Sequence, residues 1–473
     1  MLRPWPLQIQ IINTEKKAIY LQIADAIIEA IKTGQLKEEE ALPGSRKLAE
    51  ILGVNRNTVI EAYDVLLSEG WIMSKSRSGT YVSKLADINI TPLNKIPIKK
   101  ESKSTIQYNI TVDDGNPDTS IAPVEELARA YRQIFKRKGK WQMMGYSSPL
   151  GLFEFREHIS KMLNHWRGMQ VTAEEICISR GSQMAMYLIA QVLLKKDDYI
   201  IVEHPGYRKA WHTFEHAGAK LLYANVDEQG IDINQVESLL KENKRIKAIY
   251  ITPHHQYPTT ATLSLQRRYK LIELSNLYNF TIIEDDYDYE FHYGHRPVMP
   301  ISSLPNVLNY VYIGTLSKVV APSLRIGYIA TNNDLIQKIG ELRSIIDVQG
   351  DNIMEQAILQ LMDDGTIRKH LKKAHNYYKS KRDITADLLD KNLKEQVNYT
   401  IADGGLAIWL VPKKETDWDK LKKKLDLDKI AFMGPERFSY SDKLQGIRFS
   451  FGSLSERQIE EAILCLKRHL FLL

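Results

Sequence analysis

Tyr312-Ile313-Gly314-Thr315-Leu316-Ser317-Lys318 is an apolar run that closes on small polar residues and a lysine. Upstream of it, Thr281-Ile282-Ile283-Glu284-Asp285-Asp286-Tyr287 is a second apolar run, closing on carboxylates. Further runs are Ile176 to Ser179, Tyr199 to Val202, Leu221 to Ala224 and Ala248 to Thr252, and helix-length segments separate them. Strands that are apolar throughout and alternate with helices belong to a mainly parallel sheet covered on both faces, so the fold class is α/β. Ligands of such sheets bind outside the C-terminal strand ends, which is where the polar residues sit here.

Three of these ends carry complementary chemistry. Ser179-Arg180-Gly181-Ser182-Gln183 joins a strand to a helix through a glycine, and a helix N-terminus after such a turn cradles phosphate with backbone donors and its dipole. Lys318, at a buried strand end, can be desolvated toward a neutral amine that forms a Schiff base. A carboxylate beside a pyridine nitrogen keeps that nitrogen protonated and makes the ring an electron sink. The ligand implied is pyridoxal phosphate. A carboxylate pair after a strand also suits Mg²⁺ in a nucleotide hydrolase, but Gly-x-x-x-x-Gly-Lys-Ser/Thr occurs nowhere in the chain. Asp286 is read as solvated or paired, not catalytic.

The first 85 residues have a different pattern. Tyr20, Ile23, Ala24, Ile27 and Ile31 repeat at helical spacing as far as Gly34. Leu42-Pro43-Gly44-Ser45 offers Ser45 as the N-cap of a short helix with Leu48, Ile51 and Leu52 inward, and Gly53 ends it. Asn55 caps a third helix whose Val59, Ala62, Tyr63 and Leu66 face inward and which stops at Gly70. This spacing predicts a helix-turn-helix. Trp71-Ile72-Met73 and Thr80-Tyr81-Val82, around Ser76-Arg77-Ser78-Gly79, predict a β-hairpin wing. Asn55-Arg56-Asn57-Thr58 fills the first turn of the third helix, the turn that enters the major groove, where Arg takes guanine O6 and N7 together and Asn pairs with adenine. Ser45-Arg46-Lys47 offers donors and positive charge to phosphate. Residues 86–107 hold two prolines, many polar side chains and no sustained period, and predict a solvated linker. The domains expected are therefore 1–85, a DNA-binding head; 86–107, the linker; and 108–473, the ligand-binding domain.

Composition narrows the classes. The 473 residues are 44% apolar and 26% charged, the proportions of an ordinary globular protein rather than a disordered or fibrous one. Two cysteines, Cys177 and Cys465, cannot build a disulfide framework or a cysteine zinc site and fit a reducing compartment. Met1 to Pro6 lacks a signal-peptide core and no run approaches a bilayer span, so the expected location is the cytoplasm, away from membranes. A net charge of +6 is modest, so nucleic-acid binding rests on where the charge sits. His212-Thr213-Phe214-Glu215-His216 has the His-x-x-Glu-His order of inverted zinc proteases, but the reading preferred is a helix with Trp211 and Phe214 packed and the histidines outward. His292 and His295 read as loop residues, and no metal site is expected.

Leu42 to Ala49, Leu52 to Val59, Leu66 to Gly70 and Ser78 to Val82 resemble the winged helix-turn-helix of GntR-type bacterial repressors over residues 18–83. The resemblance implies DNA contacts from Arg46, Arg56, Asn57 and Thr58, with Gly79 letting the wing tip approach the minor groove. In sequence order, Tyr146 to Gly151, Arg180 to Gln183, Glu203 to Tyr207, His255 to Thr259, Glu284 to Tyr287, Gly314 to Lys318 and Arg325 to Tyr328 resemble the fold-type I aminotransferases over residues 108–473. Such a domain has a mainly parallel sheet and a small C-terminal α+β subdomain. The whole chain is thus similar to a MocR-type transcriptional regulator, which implies an operator in double-stranded DNA, an amino effector or pyridoxal phosphate itself as the signal, and a homodimer.

By that resemblance Lys318 bonds the cofactor, Asp285 pairs with the pyridine nitrogen and Tyr287 hydrogen-bonds the phenolic oxygen. Tyr207 stacks on the ring. Gly181, Ser182, Gln183, Thr315, Ser317 and Arg325 hold the phosphate, Tyr146 reaches over from the other subunit, and Arg448 grips the carboxylate of an amino acid, a task suited to its fork of donors. The enzymes carry Asn-Pro-Thr-Gly where this chain reads Gln256-Tyr257-Pro258-Thr259-Thr260, which implies retained binding without efficient transamination. The alternative is a working aminotransferase with an appended DNA-binding head.

Overall fold

The computed structural model describes residues 7, 9–12, 17–75, 79–84, 106–136, 141, 144–294, 298–401, 403–441 and 443–470. The wing tip Ser76-Arg77-Ser78, residues 86–105 of the expected linker, His295 and the Met1 to Pro6 segment lie outside the described residues. The chain divides into two units, Met1–Lys103 and Ser104–Leu473. Among the described residues no helix is long and apolar enough to cross a membrane.

The first unit is built from α1 (Ile19–Lys32), α2 (Ser45–Leu52), α3 (Arg56–Ser68) and the antiparallel pair β1 (Ile72–Lys75) and β2 (Gly79–Val82). Its core gathers Ile23, Ala24 and Ile27 of α1, Leu48 of α2 and Val59, Ala62, Tyr63 and Leu66 of α3, the apolar faces read from spacing. Two expectations about α2 fail. Ser45 is the first helical residue and not the cap, because Gly44 takes the extended cap conformation and offers no side chain. Ile51 is 46% exposed, since an eight-residue helix turns only one narrow face inward and Leu48 and Ala49 occupy it. Gly53 closes α2 at φ +64, and the Asn55 side chain accepts the Asn57 N–H at 2.9 Å to open α3.

In the second unit β3 (Ile110–Val112), α4 (Val124–Lys136) and α5 (Phe153–Arg167) lead into the central sheet. Its strands are β4 (Ile176–Ser179), β5 (Tyr199–His204), β6 (Lys220–Asp227), β7 (Gly230–Ile231), β8 (Ile246–Ile251), β9 (Thr281–Asp286), β10 (Tyr310–Thr315) and β11 (Gly327–Thr331), ordered β4-β11-β10-β9-β8-β5-β6-β7. Neighbours run parallel except around β11 and at β7. Alternate side chains enter opposite layers: Ile200 and Val202 pack with α6 (Ser182–Leu193) and α7 (Arg208–His216), and Ile201 packs with α8 (Ile233–Glu242) and α9 (Leu265–Tyr278). β11 was not read from the sequence. It is a wholly buried antiparallel strand between β4 and β10, reached through residues 316–326, whose only helical piece is the 3₁₀ turn Pro322–Leu324. β6 departs from the doubly covered pattern, with Leu221 and Leu222 half-buried and Tyr223 exposed, because only the two-residue β7 lies beyond it.

After α10 (Asn333–Ile346), α11 (Asn352–Asp363) and the long α12 (Thr366–Leu393), the chain forms the small α+β subdomain. β12 (Val397–Tyr399), β13 (Ala407–Pro412) and β15 (Ile447–Ser450) make an antiparallel sheet, packed with α13 (Trp418–Leu427) and α14 (Glu456–Leu470). β14 (Ile430–Phe432) pairs in parallel with β3, so residues 110–112 complete a subdomain otherwise built from the C-terminus.

Candidate functional site

The C-terminal ends of β4, β9 and β10 and the turn after β5 meet as the parallel register dictates, with Ile313 opposite Asp285 and Gly314 opposite Asp286. Gly314 has no alternative, since a Cβ there would lie 2.2 Å from the Tyr328 ring. Asp285 is buried; its Oδ2 accepts the Tyr250 hydroxyl at 2.7 Å and its Oδ1 has no hydrogen-bond partner among the described residues. Burial pushes its pKa up to about 7, with Asp286 and Asp288 adding to the rise and the Tyr250 bond opposing it. The neighbouring Asp286 is also buried, held by the Tyr312 hydroxyl and by Arg167 at 3.6 Å, so it is paired and not solvated.

Lys318 reaches back over the site. Its Nζ donates to Gly115 O at 2.7 Å and lies 3.3 Å from Asn116 Oδ1. Burial lowers its pKa, and the Asp114 charge opposes the drop. The segment Asp113 to Asn116 follows β3 and did not stand out in the sequence, where it reads only as a polar turn. Asp114 also receives the Tyr257 hydroxyl.

On the other side, Gly181 caps α6 at φ +78 and ψ 171, and a Cβ on it would lie 2.6 Å from Arg325 Nη2. Arg325 sits at φ +52 and donates from that nitrogen to Arg180 O at 3.1 Å. Thr315 Oγ1 donates to Ile326 O at 3.2 Å and accepts the Ser317 N–H at 3.1 Å, which ties these turns together. The Ser317 hydroxyl is buried without a hydrogen-bond partner among the described residues. Ser182, the first residue of α6, is half-buried beside the Gly327 backbone. Gln183 turns its side-chain amide away toward Thr213 Oγ1, at 2.8 Å.

Tyr207 lies edge-on to Tyr257, with ring centroids 5.1 Å apart. The Tyr287 hydroxyl donates to His255 O at 2.8 Å and stands 3.3 Å from Arg448 Nη2, so its single proton is committed to the backbone. Arg448 is 1% exposed; Nη1 donates to Pro258 O at 2.9 Å and Nε has no hydrogen-bond partner among the described residues. Gln256 ties its loop to the turn after β5, donating to Pro205 O as well as to Tyr257 O, and Thr260 holds φ +63 where the enzymes have glycine. Tyr146 stands apart from these contacts, 90% exposed.

In the first unit Arg46, Arg56 and Asn57 are exposed and Thr58 half-buried, on the helix faces turned from the core. Arg56 Nε lies 3.4 Å from Ser45 Oγ, so the N-termini of α2 and α3 flank one groove with Arg46 and Lys47. Gly79 holds φ +112 at the start of β2. In α7 Trp211 and Phe214 are fully buried, while His212 and His216 are exposed, as a packed amphipathic helix requires. Asp428, Cys465 and His469 bring three potential metal ligands within 4.8 Å of one another. Arg468 and His469 both converge on Asp428 Oδ2, at 3.1 and 2.8 Å, and burial pushes the Cys465 thiol up to about 12, so the group is a hydrogen-bonded ion pair.

Residues 109–465 match the family model of class I and II aminotransferases, and residues 19–82 match that of bacterial regulatory proteins of the gntR family. A probable rhizopine catabolism regulatory protein, MocR, of Rhizobium meliloti is 26% identical over 463 residues, 94% of this chain and 92% of the relative. Aromatic-amino-acid aminotransferase 1 of Thermococcus litoralis is 27% identical over 359 residues, 75% of this chain and 86% of that enzyme. The crystal structure of Pyrococcus horikoshii kynurenine aminotransferase in complex with PMP superposes with a TM-score of 0.73 and 28% identity, covering 78% of this chain and 92% of that one.

Proposed function

The chain belongs to the class I and II aminotransferase family and joins to it a gntR-type head, the arrangement of MocR-type regulators, and from that premise we propose that it is a transcriptional regulator whose aminotransferase-like domain senses an amino compound or pyridoxal phosphate itself. The gntR-type helix-turn-helix implies DNA binding, and the aminotransferase family is pyridoxal phosphate dependent.

The residues present fit that cofactor. A buried carboxylate oxygen and a buried hydroxyl, Asp285 Oδ1 and Ser317 Oγ, stand without partners among the described residues, as groups do that complete their bonding with a ligand. The turn at Gly181 leaves the Arg325 guanidinium against a helix N-terminus, two features that both favour phosphate. Lys318 would hold the aldehyde carbon, Asp285 the pyridine nitrogen, and Gly181, Ser182, Gln183, Thr315, Ser317 and Arg325 the phosphate, with Gln183 contributing through its backbone. When bound, the cofactor supplies an electron sink to an amine attached to it. Burial makes the Lys318 amine easier to deprotonate, which suits it to bond a carbonyl carbon. Tyr207 would cover the ring face. Tyr287 would meet the phenolic oxygen after giving up His255 O. Arg448, with Nε free in a buried setting, would take an effector carboxylate, and Tyr146 of one protomer would complete the phosphate site of its partner in a dimer.

The observation that carries this reading is the meeting of Asp285, Lys318 and the Gly181–Arg325 turn at neighbouring strand ends in a chain that also bears a DNA-binding head. The committed Gln256 and the strained Thr260 support sensing over turnover, because the loop that tunes the phenolic oxygen in the enzymes is rebuilt here. Operator binding by the full chain, measured with and without pyridoxal phosphate and a panel of amino acids, tests it. The expected result is a shift in DNA affinity that Lys318→Ala abolishes together with borohydride-fixable cofactor. Rapid turnover of amino donors with DNA affinity indifferent to every ligand would establish the enzyme reading instead.

A further inference from the structure

We propose that Tyr250 is the positioning residue that fixes Asp285 and favours its ionised form for the cofactor, an inference that rests on the role of Asp285 given above. Tyr250 is the penultimate residue of β8, 1% exposed, opposite Ile283 of β9. Asp285 lies two residues beyond Ile283 and therefore on the same face of the sheet, within reach of a tyrosine hydroxyl but not of a shorter side chain. The hydroxyl donates to Asp285 Oδ2 at 2.7 Å and leaves Oδ1 open. One oxygen is thus anchored and the other presented. The ring itself is fixed by Phe214, 5.4 Å away between centroids, so the donor does not wander.

The titratable groups facing Asp285 make that donor necessary. Asp286 and Asp288 come from its own segment, Glu203 from β5, and the Tyr207 hydroxyl from the turn after β5. The carboxylates disfavour a further negative charge, and burial acts the same way. A hydrogen bond to the charged form favours that form, and Tyr250 is placed to give one. An Asp285 left protonated would have no charge to hold a protonated pyridine nitrogen. No part of the sequence constellation included Tyr250, because its partner is two strand positions away on a different strand.

The test titrates full-length apo protein with pyridoxal phosphate between pH 5.5 and 9, following absorbance. Tyr250→Phe removes one hydroxyl and keeps the ring. It is expected to raise the dissociation constant about tenfold at pH 7, and to move the midpoint at which affinity falls off in acid upward by about one unit. A ring-fluorinated tyrosine at 250, a stronger donor of the same shape, moves the midpoint the other way. In an Asp285→Asn background Tyr250→Phe has no further effect. An unmoved midpoint in Tyr250→Phe, or an effect that persists in Asp285→Asn, overturns the proposal, since either means Tyr250 acts by packing alone. If Asp285→Asn binds the cofactor like wild type at every pH, the reading of Asp285 itself falls, and the role of Tyr250 with it.

Discussion

Replacing Gly181 by alanine should cost both stability and cofactor affinity, by amounts the backbone makes calculable. Gly181 holds φ +78 and ψ 171, a conformation open essentially to glycine, and forcing a side chain into it costs about 1 to 3 kcal/mol. The new Cβ would lie 2.6 Å from Arg325 Nη2 and 3.0 Å from Cζ, so the guanidinium must move. That movement is cheap for folding, because Arg325 is an exposed side-chain end, but it withdraws the charge from the N-terminus of α6. A lost charge-assisted contact to phosphate is worth about 1.5 to 3 kcal/mol, roughly 10- to 150-fold in the dissociation constant. Gly181→Ala should therefore show both losses, in urea unfolding and in pyridoxal phosphate titration. Arg325→Ala should show the affinity loss with stability nearly unchanged. Wild-type cofactor affinity in Gly181→Ala would refute the placement of the phosphate at this turn, whatever the unfolding curve does.

Arg56→Ala should weaken binding to a specific operator by about 1 to 3 kcal/mol and relax base preference, measured by fluorescence anisotropy at fixed salt; unchanged preference would remove α3 from the major groove. Apo-protein stability should fall as pH rises from 5.5 to 8. Burial raises Glu203, Glu284 and Asp285 to about 7 and Glu355 to about 6, so between pH 5.5 and 7 the folded state holds protons that the unfolded chain has released, and the resulting loss across that window is on the order of 2 kcal/mol per group at most. His255, raised by Asp288 against its burial, acts in the same direction, while the lowered pKa of His254 opposes it in acid. Chemical unfolding that grows harder from pH 5.5 to 8 would contradict this. Arg448→Ala should retain cofactor absorbance and basal DNA binding yet lose about 2 to 5 kcal/mol of affinity for a carboxylate-bearing effector, and a normal effector response would mean that the signal lacks a carboxylate.

The sequence by itself determined the α/β class, the two kinds of unit and the strands whose ends carry the chemistry, because each of those rests on a local period or an ordered set of motifs. Val59, Ala62, Tyr63 and Leu66 mark one helical face whatever surrounds them, and an apolar run ending in Asp285 or Lys318 is visible as a string. Pairings decided by distant segments were not legible. β11 is antiparallel because its connection from β10 is too short for a crossover helix, and only the sheet order reveals it. Gly115 and Asn116 reach Lys318 across about two hundred positions of sequence, brought there by β3 pairing with β14. Tyr250 finds Asp285, Arg167 finds Asp286, and Gln256 finds Pro205 O in the turn after β5, although none of these side chains differs in type from many others in the chain. Their roles come from burial, since a polar group taken out of water must find a partner, and which partner it finds is settled by the packing of strands that the sequence lists far apart.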